Sequence, residues 1–254
     1  MKLSATIAYQ YDSPFSPFAP QDFEQGLDWA VKSQLDGVEI CISDYHDVSP
    51  GTLAKKLGVL GLFCSTISTG QAFGREDISL AHPDESRRAT AVVRIKQHID
   101  AAAVLKSRVT IGLLRGKGDI GVFAESLRTC LEYAEKNDIC LLLEPINRYE
   151  TNLINSTNDA IEFLELMGNP SNLKILWDIF HANIEDTVFA DTIRAMGLKL
   201  GHVHLADSNR GFPGSGHIDF DAIFAELEKI GYKDWLSFEC LNMPVYFHAL
   251  GRLK

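Results

Sequence analysis

The stretch Ile139-Cys140-Leu141-Leu142-Leu143-Glu144-Pro145 decides the fold class of this 254-residue chain. Five apolar residues in a row are typical of a strand that is buried on both faces, as in the parallel sheets of α/β proteins. Pro145 lacks the amide hydrogen that a sheet ladder needs, so the strand should end at Glu144. A carboxylate in such surroundings is costly unless it is paired, protonated or bound to a metal. We therefore expect Glu144 to meet partners at the end of this strand.

Short apolar runs of strand length alternate with helical patterns along the whole chain. The eight predicted strands are Leu3–Ala8, Gly37–Cys41, Val59–Ser65, Arg108–Leu113, Ile139–Glu144, Lys174–Asp178, Gly201–Leu205 and Trp235–Glu239. The predicted helices are Pro20–Lys32, Ser49–Leu57, His82–Leu105, Val122–Lys136, Ser156–Met167, Thr187–Met196 and Phe220–Ile230, and Thr66–Ala81 is a predicted loop. This alternation predicts a (β/α)8 TIM barrel, with residues 1–254 as a single domain. A doubly wound open sheet is the alternative, disfavoured because no glycine-rich nucleotide loop follows the first strand.

The eighth unit departs from this pattern. Only the segment Cys240–Lys254 follows the last predicted strand. An ordinary loop and helix would need more residues, so we expect the final helix to be shortened or missing. A neighbouring subunit of a homo-oligomer could cover that flank of the barrel.

Composition and charge exclude several classes of function. The formal net charge is −10, whereas proteins that grip phosphate backbones are usually basic, so no nucleic-acid partner is expected. The sequence has no apolar run of about 18 residues and no signal-peptide pattern, which predicts no membrane partner. Its five cysteines are an odd number without paired spacing, as in proteins of the reducing cytoplasm. We therefore expect a cytoplasmic protein that binds a small molecule.

Four consecutive predicted strands end in side chains that can bind a metal. Glu144, Asp178, His204 and Glu239 lie at or near the ends of strands five to eight. In TIM barrels these strand ends form one rim, which carries the reactive groups. Three carboxylates and one imidazole suit one divalent ion, Mn²⁺ first and Mg²⁺ or Co²⁺ as alternatives. Any one glutamate alone would be interpreted as an ion-pair residue, and His202 is interpreted as a core histidine.

Polar side chains in the loops at the same rim could hold a sugar. Glu150, His181 and Arg210 follow strands five, six and seven, and Gln71 follows strand three. Each can form hydrogen bonds with hydroxyl groups, and Arg210 could also pair with a carboxylate. For each of them alone, a solvated loop side chain is the competing interpretation.

These segments resemble the xylose isomerase-like TIM barrels, and within them the ketose 3-epimerases and the hydroxypyruvate isomerase-like enzymes. The resemblance is carried by Glu144–Glu150, Asp178–Glu185, Gly201–Arg210, Pro213–Gly216 and Phe238–Glu239. Four further segments are most similar to 5-keto-L-gluconate epimerases, namely Ser68–Ala72, Ser79–Pro83, Ile111–Arg115 and Ala206–Arg210. The resemblance extends from Met1 to about Leu241.

The resemblance implies a role for each candidate residue. The implied metal ligands are Glu144, Asp178, His204 and Glu239, and the implied substrate-binding residues include Glu150, His181 and Arg210. Glu144 and Glu239 would also be the acid/base pair. The expected reaction is C3 epimerisation of a ketose or keto-sugar acid such as 5-keto-L-gluconate. One glutamate would remove the C3 proton, the metal would stabilise the enediolate, and the other glutamate would return a proton on the opposite face.

Other activities remain open at this point. An aldose–ketose isomerase of the hydroxypyruvate isomerase type would use the same residues and protonate a different carbon. A sugar or inosose dehydratase would use the same metal and base to expel a hydroxyl group. An AP endonuclease would need more metal ligands and a basic groove, which the acidic chain disfavours. A non-catalytic carbohydrate-binding barrel would not need both glutamates.

Overall fold

The computed structural model describes residues 1–241, which form a closed ring of eight parallel strands. Each strand pairs with the next one along the chain, and β1 pairs with β8 to close the ring. The strands are β1 (Lys2–Ala8), β2 (Gly37–Cys41), β3 (Phe63–Ser68), β4 (Val109–Ile111), β5 (Leu141–Leu143), β6 (Leu173–Asp178), β7 (Leu200–Leu205) and β8 (Trp235–Phe238). The predicted (β/α)8 TIM barrel is therefore confirmed.

Helices connect the strands and cover the outside of the ring. Their bounds are α1 (Phe23–Lys32), α2 (Pro50–Leu60), α3 (Gln71–Glu76), α4 (Glu85–Leu105), α5 (Ile120–Lys136), α6 (Thr157–Leu166), α7 (Ile179–Glu185), α8 (Phe189–Met196) and α9 (Phe220–Lys229). In the described part of the chain, none of these helices is long and apolar enough to cross a membrane. The predicted short or missing final helix lies outside the described residues.

The third strand begins later in the chain than its apolar run predicts. The sequence favours a strand from Val59, but β3 begins at Phe63. Helix α2 continues through the earlier part of the run because Leu53 and Leu57 lie on its buried face. It ends where Gly61 adopts a left-handed conformation, with φ of 70°. Val59 is consequently 87% exposed on the outer side of this helix.

Two short helices occupy segments that were not predicted to be helical. Helix α3 lies inside the predicted loop Thr66–Ala81, and α7 begins directly after β6. The start of α7 is fixed by Asp178, whose Oδ1 accepts hydrogen bonds from the backbone amides of Phe180 (2.8 Å) and His181 (3.3 Å). This cap also fixes the orientation of the Asp178 carboxylate at the rim of the barrel.

The interior of the barrel contains polar side chains below that rim. Successive residues of a barrel strand point alternately toward the interior and toward the helices. In β2, Val38 and Ile40 belong to the apolar core, and Glu39 between them lies beside His202 and His204 of β7. All three polar residues are at most 1% exposed. The space beneath the strand ends is therefore filled by hydrogen-bonding groups.

Arg108 joins three strands at the opposite, N-terminal end of the barrel. This residue precedes β4, and its guanidinium donates hydrogen bonds to the carbonyl of Gly201 in β7 and to the carboxylate of Asp234, just before β8. Both charged side chains are mostly buried, 25% and 28% exposed. This contact closes the end of the barrel that lies far from the strand-end carboxylates.

Candidate functional site

Four side chains converge at the C-terminal ends of β5 to β8. Glu144 and Glu239 directly follow β5 and β8, Asp178 is the last residue of β6, and His204 is the penultimate residue of β7. One ligand atom from each of the four lies within 4.8 Å of those from the other three. The barrel therefore brings together all four residues that were predicted to bind a metal. We call this group the rim cluster.

The imidazole of His204 lies among the three carboxylates. Its Nδ1 lies 3.5 Å from a carboxylate oxygen of both Glu144 and Asp178, and 3.2 Å from one of Glu239. This nitrogen is buried and has no hydrogen-bond partner among residues 1–241. Oxygen-rich donor sets with one imidazole suit hard or borderline divalent ions. The rim cluster therefore fits a divalent metal ion.

Within the described residues, the carboxylates of this region outnumber the guanidinium groups in contact with them. Arg210 contacts Asp178 at 2.7 Å and Glu239 at 2.6 Å. Burial raises the pKa of Glu239 to about 7, although His204 and Arg210 oppose the shift. Burial alone would lower the pKa of His204, but the nearby carboxylates, Glu39 foremost, raise it well above its usual value. The raised pKa of His204 indicates an excess of negative charge around its ring, which a cation would relieve.

Glu39 lies directly beneath the rim cluster and was not among the predicted site residues. Its two carboxylate oxygens lie 3.1 and 3.2 Å from Nε2 of His204, and one of them lies 3.3 Å from Nε2 of His202. The hydroxyl group of Ser68 donates a further hydrogen bond to it. Burial would raise the pKa of Glu39, but His204 and the hydrogen bonds from both histidines lower it below its ordinary value.

A cavity of about 540 Å³ opens above the rim cluster. The four residues predicted to bind a substrate all line it: Glu150, His181, Arg210 and Gln71. Gln71 also donates its side-chain amide to the carbonyl of Tyr11 at 3.2 Å, so it supports the loop that follows β1. The cavity therefore places the candidate binding groups on the same side of the barrel as the candidate metal ligands.

Asn147 connects two of these binding groups and was also missed at the level of sequence. Its Nδ2 lies 2.9 Å from Oε1 of Glu150 and 2.7 Å from Nδ1 of His181. An amide nitrogen can only donate, so Nδ1 of His181 accepts and the hydrogen of the ring is on Nε2. Burial lowers the pKa of His181, although Asp178 opposes the shift. The ring is therefore a neutral hydrogen-bond donor.

Arg210 is fixed between two aromatic rings. Its Cζ lies 4.9 Å from the ring centroid of Phe15 and 4.7 Å from that of Phe180. The side chain is only 11% exposed, because the rings and its two carboxylate partners enclose it. It is therefore a built part of the cavity wall and not a solvated loop charge.

Comparison with known proteins identifies the family. Residues 27–253 match the sequence profile of the xylose isomerase-like TIM barrels. The chain belongs to this family. An L-ribulose 3-epimerase of Mesorhizobium japonicum is 33% identical to it, with 92% of this chain and 80% of the relative covered. A D-psicose 3-epimerase of Agrobacterium fabrum is 26% identical, with 88% of this chain and 78% of the relative covered.

A solved structure extends this likeness within the family to three dimensions. The structure of an L-ribulose 3-epimerase has a TM-score of 0.79 with this chain at 30% sequence identity. The match covers 98% of this chain and 84% of that one. The family fold therefore accounts for nearly the whole of the described barrel.

Proposed function

We propose that this protein is a metal-dependent epimerase that inverts C3 of a ketose or keto-sugar acid. The observation that carries the proposal is the position of Glu144 and Glu239, which lie beside the same nitrogen of His204 at the mouth of a cavity. The relatives named above are L-ribulose and D-psicose 3-epimerases, which supports a sugar isomerase or epimerase.

One divalent ion would be held by the rim cluster. Mn²⁺ is our first choice, with Mg²⁺ and Co²⁺ as alternatives, because three carboxylates and one imidazole suit these ions. Bound there, the ion would supply Lewis-acid polarisation of the substrate carbonyl. Asp178 is already oriented for such a role, since Oδ1 caps α7 and Oδ2 lies 3.5 Å from Nδ1 of His204.

Glu144 and Glu239 would move the proton. They come from β5 and β8, which are three strands apart in the ring, so they reach the cavity from different parts of the rim. One carboxylate would remove the proton at C3, and the other would return a proton to the opposite face. The configuration at C3 is then inverted while the composition of the sugar is conserved. A positioned acid or base of this kind contributes typically ~10²–10⁴-fold to the rate.

The charge of the cavity favours an uncharged sugar over a sugar acid. Among the described residues that line it, Asp12, Glu150 and the two glutamates of the rim are acidic. The one guanidinium in this lining, that of Arg210, is already in contact with two carboxylates. Even with the two positive charges of a bound divalent ion, the four carboxylates of the lining outnumber the positive charges, so a substrate carboxylate would meet net repulsion there. A neutral ketose is the first choice of substrate, and a keto-sugar acid the second.

Proton exchange in heavy water tests the proposal. The Mn²⁺-loaded protein is incubated in D₂O with a panel of ketoses and keto-sugar acids, and the products are analysed by NMR and mass spectrometry. We expect deuterium at C3 and a new epimer of unchanged composition. Appearance of an aldose, with deuterium at another carbon, would instead establish an aldose–ketose isomerase, and loss of water would establish a dehydratase.

A further inference from the structure

A second group of metal-competent side chains lies directly below the rim cluster. Glu39, His202 and His204 each offer a ligand atom within 4.8 Å of the other two. His204 belongs to both groups, because its two ring nitrogens face in different directions. Nε2 lies 3.1 Å from the nearer oxygen of Glu39, and Nδ1 faces the three carboxylates above. The proposed proton transfer gives Glu39 no task of its own.

The contact with Glu39 determines where the hydrogen of the His204 ring resides. A histidine that binds a metal ion must be neutral, so one ring nitrogen carries the hydrogen and the other offers its lone pair to the ion. The carboxylate of Glu39 can only accept, so Nε2 of His204 must carry the hydrogen. The lone pair of Nδ1 is then free, and it points toward the carboxylates with which it would share a cation.

Glu39 is itself held in place by a hydrogen bond from Ser68 and by its close approach to His202. Ser68 donates its hydroxyl hydrogen to Oε1, and Nε2 of His202 lies 3.3 Å from Oε2. Glu39 is fully buried inside the barrel, so its side chain has little space in which to turn. A carboxylate fixed in this way defines both the position and the rotation of the imidazole above it.

We infer that Glu39 is a positioning residue, which orients His204 and selects the ring form that leaves Nδ1 free to bind the metal. The inference rests on the metal-dependent function proposed above. Carboxylates that accept the second N–H of a metal-binding histidine are common, and their mutation typically weakens metal affinity by ~10–100-fold. Glu39 would therefore affect the reaction through His204 without touching the substrate.

A second metal ion between Glu39, His202 and His204 is the competing explanation for this group. It would require Nε2 of His204 to give up its hydrogen and bind the second ion. Among the described residues, those that line the cavity include His204 but neither Glu39 nor His202. Glu39 and His202 therefore do not border the space through which an ion would enter. Metal stoichiometry separates the two explanations, since positioning requires one ion per chain.

The first test uses the unmutated protein. Protein with ¹⁵N-labelled histidine is saturated with Mg²⁺, the ion among the three candidates that does not broaden NMR signals, and the His204 ring is observed by long-range ¹H–¹⁵N correlation. We expect a hydrogen on Nε2 and a metal-shifted resonance for Nδ1. A hydrogen on Nδ1 with the metal on Nε2 would overturn the inference, because Glu39 could not then accept from His204.

The second test compares Glu39→Gln with a matched substitution, Glu226→Gln. Both glutamates are at most 5% exposed, but Glu226 lies on α9 and pairs with Arg194 and Lys229, away from the barrel interior. In Glu39→Gln a single amide oxygen would replace the two carboxylate oxygens that now face His204 and Ser68. If the amide nitrogen faces His204 instead, the hydrogen of the ring must move to Nδ1.

Calorimetric titration of the metal-free proteins with Mn²⁺ measures the result. We expect affinity about 10–100-fold lower for Glu39→Gln and unchanged for Glu226→Gln. Affinity within about twofold of the unmutated protein would overturn the inference, as would two ions per chain of which Glu39→Gln loses one. These measurements require the metal but no sugar. If the protein had no epimerase activity, the proposed function would be rejected, and the positioning role of Glu39 in metal binding would still stand.

Discussion

At the scale of single residues, existing hydrogen bonds determine which atom of each side chain faces the site. Oδ1 of Asp178 is used by the helix cap, so Oδ2 is the oxygen that faces His204 and accepts a hydrogen bond from Arg210. Nδ1 of His181 accepts from Asn147, so Nε2 is the atom left to donate to a ligand. These hydrogen bonds turn symmetric functional groups into directional ones before any ligand arrives.

Glu144 and Glu239 can be tested without disturbing the barrel. Glu144→Gln and Glu239→Gln preserve size and remove the ability to accept a proton, so each should lower turnover by at least ~10²–10⁴-fold. Steady-state kinetics and circular dichroism measure activity and folding. The exposed residue Glu228 on α9 provides the control, since Glu228→Gln should leave turnover unchanged. Activity like that of the unmutated protein in either rim variant would contradict the acid/base assignment.

Gly112 provides a separate test of how closely Glu144 must be placed. A Cβ atom added at Gly112 would lie 2.5 Å from Oε2 of Glu144, so Gly112→Ala must displace this carboxylate. Displacements of about 1 Å can cost ~10²-fold in rate, which is the loss of turnover we expect. Gly58→Ala on α2 meets nothing within 4 Å and should leave turnover intact. Equal activity of the two variants would show that Glu144 tolerates movement.

At the scale of elements, the sequence predicts where most strands end. It does not predict where β3 begins or which residue within β2 belongs to the site. The ends of β5, β6 and β8 are recognisable because an apolar run stops at an ionisable residue, whereas β7 continues one residue beyond His204. The start of β3 is not recognisable, because the run around Val59 is compatible with both a helix and a strand. Glu39 was missed although its position is informative. It stands between Val38 and Ile40 in a predicted strand, where a carboxylate is costly unless it finds a partner.

The remaining parts of the site could not be found from sequence because they depend on distant pairing. Glu39 and His204 are 165 residues apart, and their contact exists because β2 and β7 lie in one closed ring. The contact of Arg210 with Phe15 and Phe180 likewise needs the loop after β1 and helix α7 to meet beside the cavity. Local sequence patterns predict the strands and helices. The contacts of Glu39 and Arg210 form only when the strands close into a ring.

Helix α4 carries a buried histidine whose ionisation should affect stability. His98 is fully buried, and its Nδ1 lies 2.8 Å from the hydroxyl of Tyr45. Burial, reinforced by Arg94 and opposed by Asp44, lowers the pKa of His98 to about 3. The unfolded chain binds this proton near its usual pKa of about 6.5. The contribution to stability is therefore complete above about pH 6.5 and is lost as the pH falls toward about 3.

The variant His98→Gln should remove this pH dependence. Between about pH 7.5 and about pH 5, His98 should account for a loss of about 2 kcal/mol in the free energy of unfolding of the original protein. Urea unfolding of both proteins at the two pH values isolates this contribution, because all other groups are shared. Equal pH dependence in the two proteins would show that His98 can ionise in the folded state.

At the scale of the whole molecule, the two ends of the barrel have different tasks. The C-terminal end presents the carboxylates, the cavity and the partly buried guanidinium of Arg210. The N-terminal end is closed by Arg108, which joins β4, β7 and the residue before β8. We therefore expect that stability and metal binding can be altered separately.

Arg108→Met should destabilise the barrel and leave its rim intact. The substitution removes hydrogen bonds of a largely buried charged group, which contribute about 1.5–3 kcal/mol in typical cases. Urea unfolding should show a decrease of that size in the free energy of unfolding, while the affinity for Mn²⁺ should not change. Lys56→Met breaks an exposed ion pair with Glu24 and should cost less than about 1 kcal/mol. A loss of metal affinity in Arg108→Met would show that the two ends are coupled.

The separation of Glu39 from His204 along the chain also affects how the protein is made. At ribosomal rates of about 5–20 residues per second, the 165 residues between them take roughly ten to thirty seconds to synthesise. During that interval Glu39 has no imidazole partner, so burial of β2 in a dry interior would be costly. The nascent chain therefore reaches the native barrel only after β7 has left the exit tunnel, however early its first strands emerge.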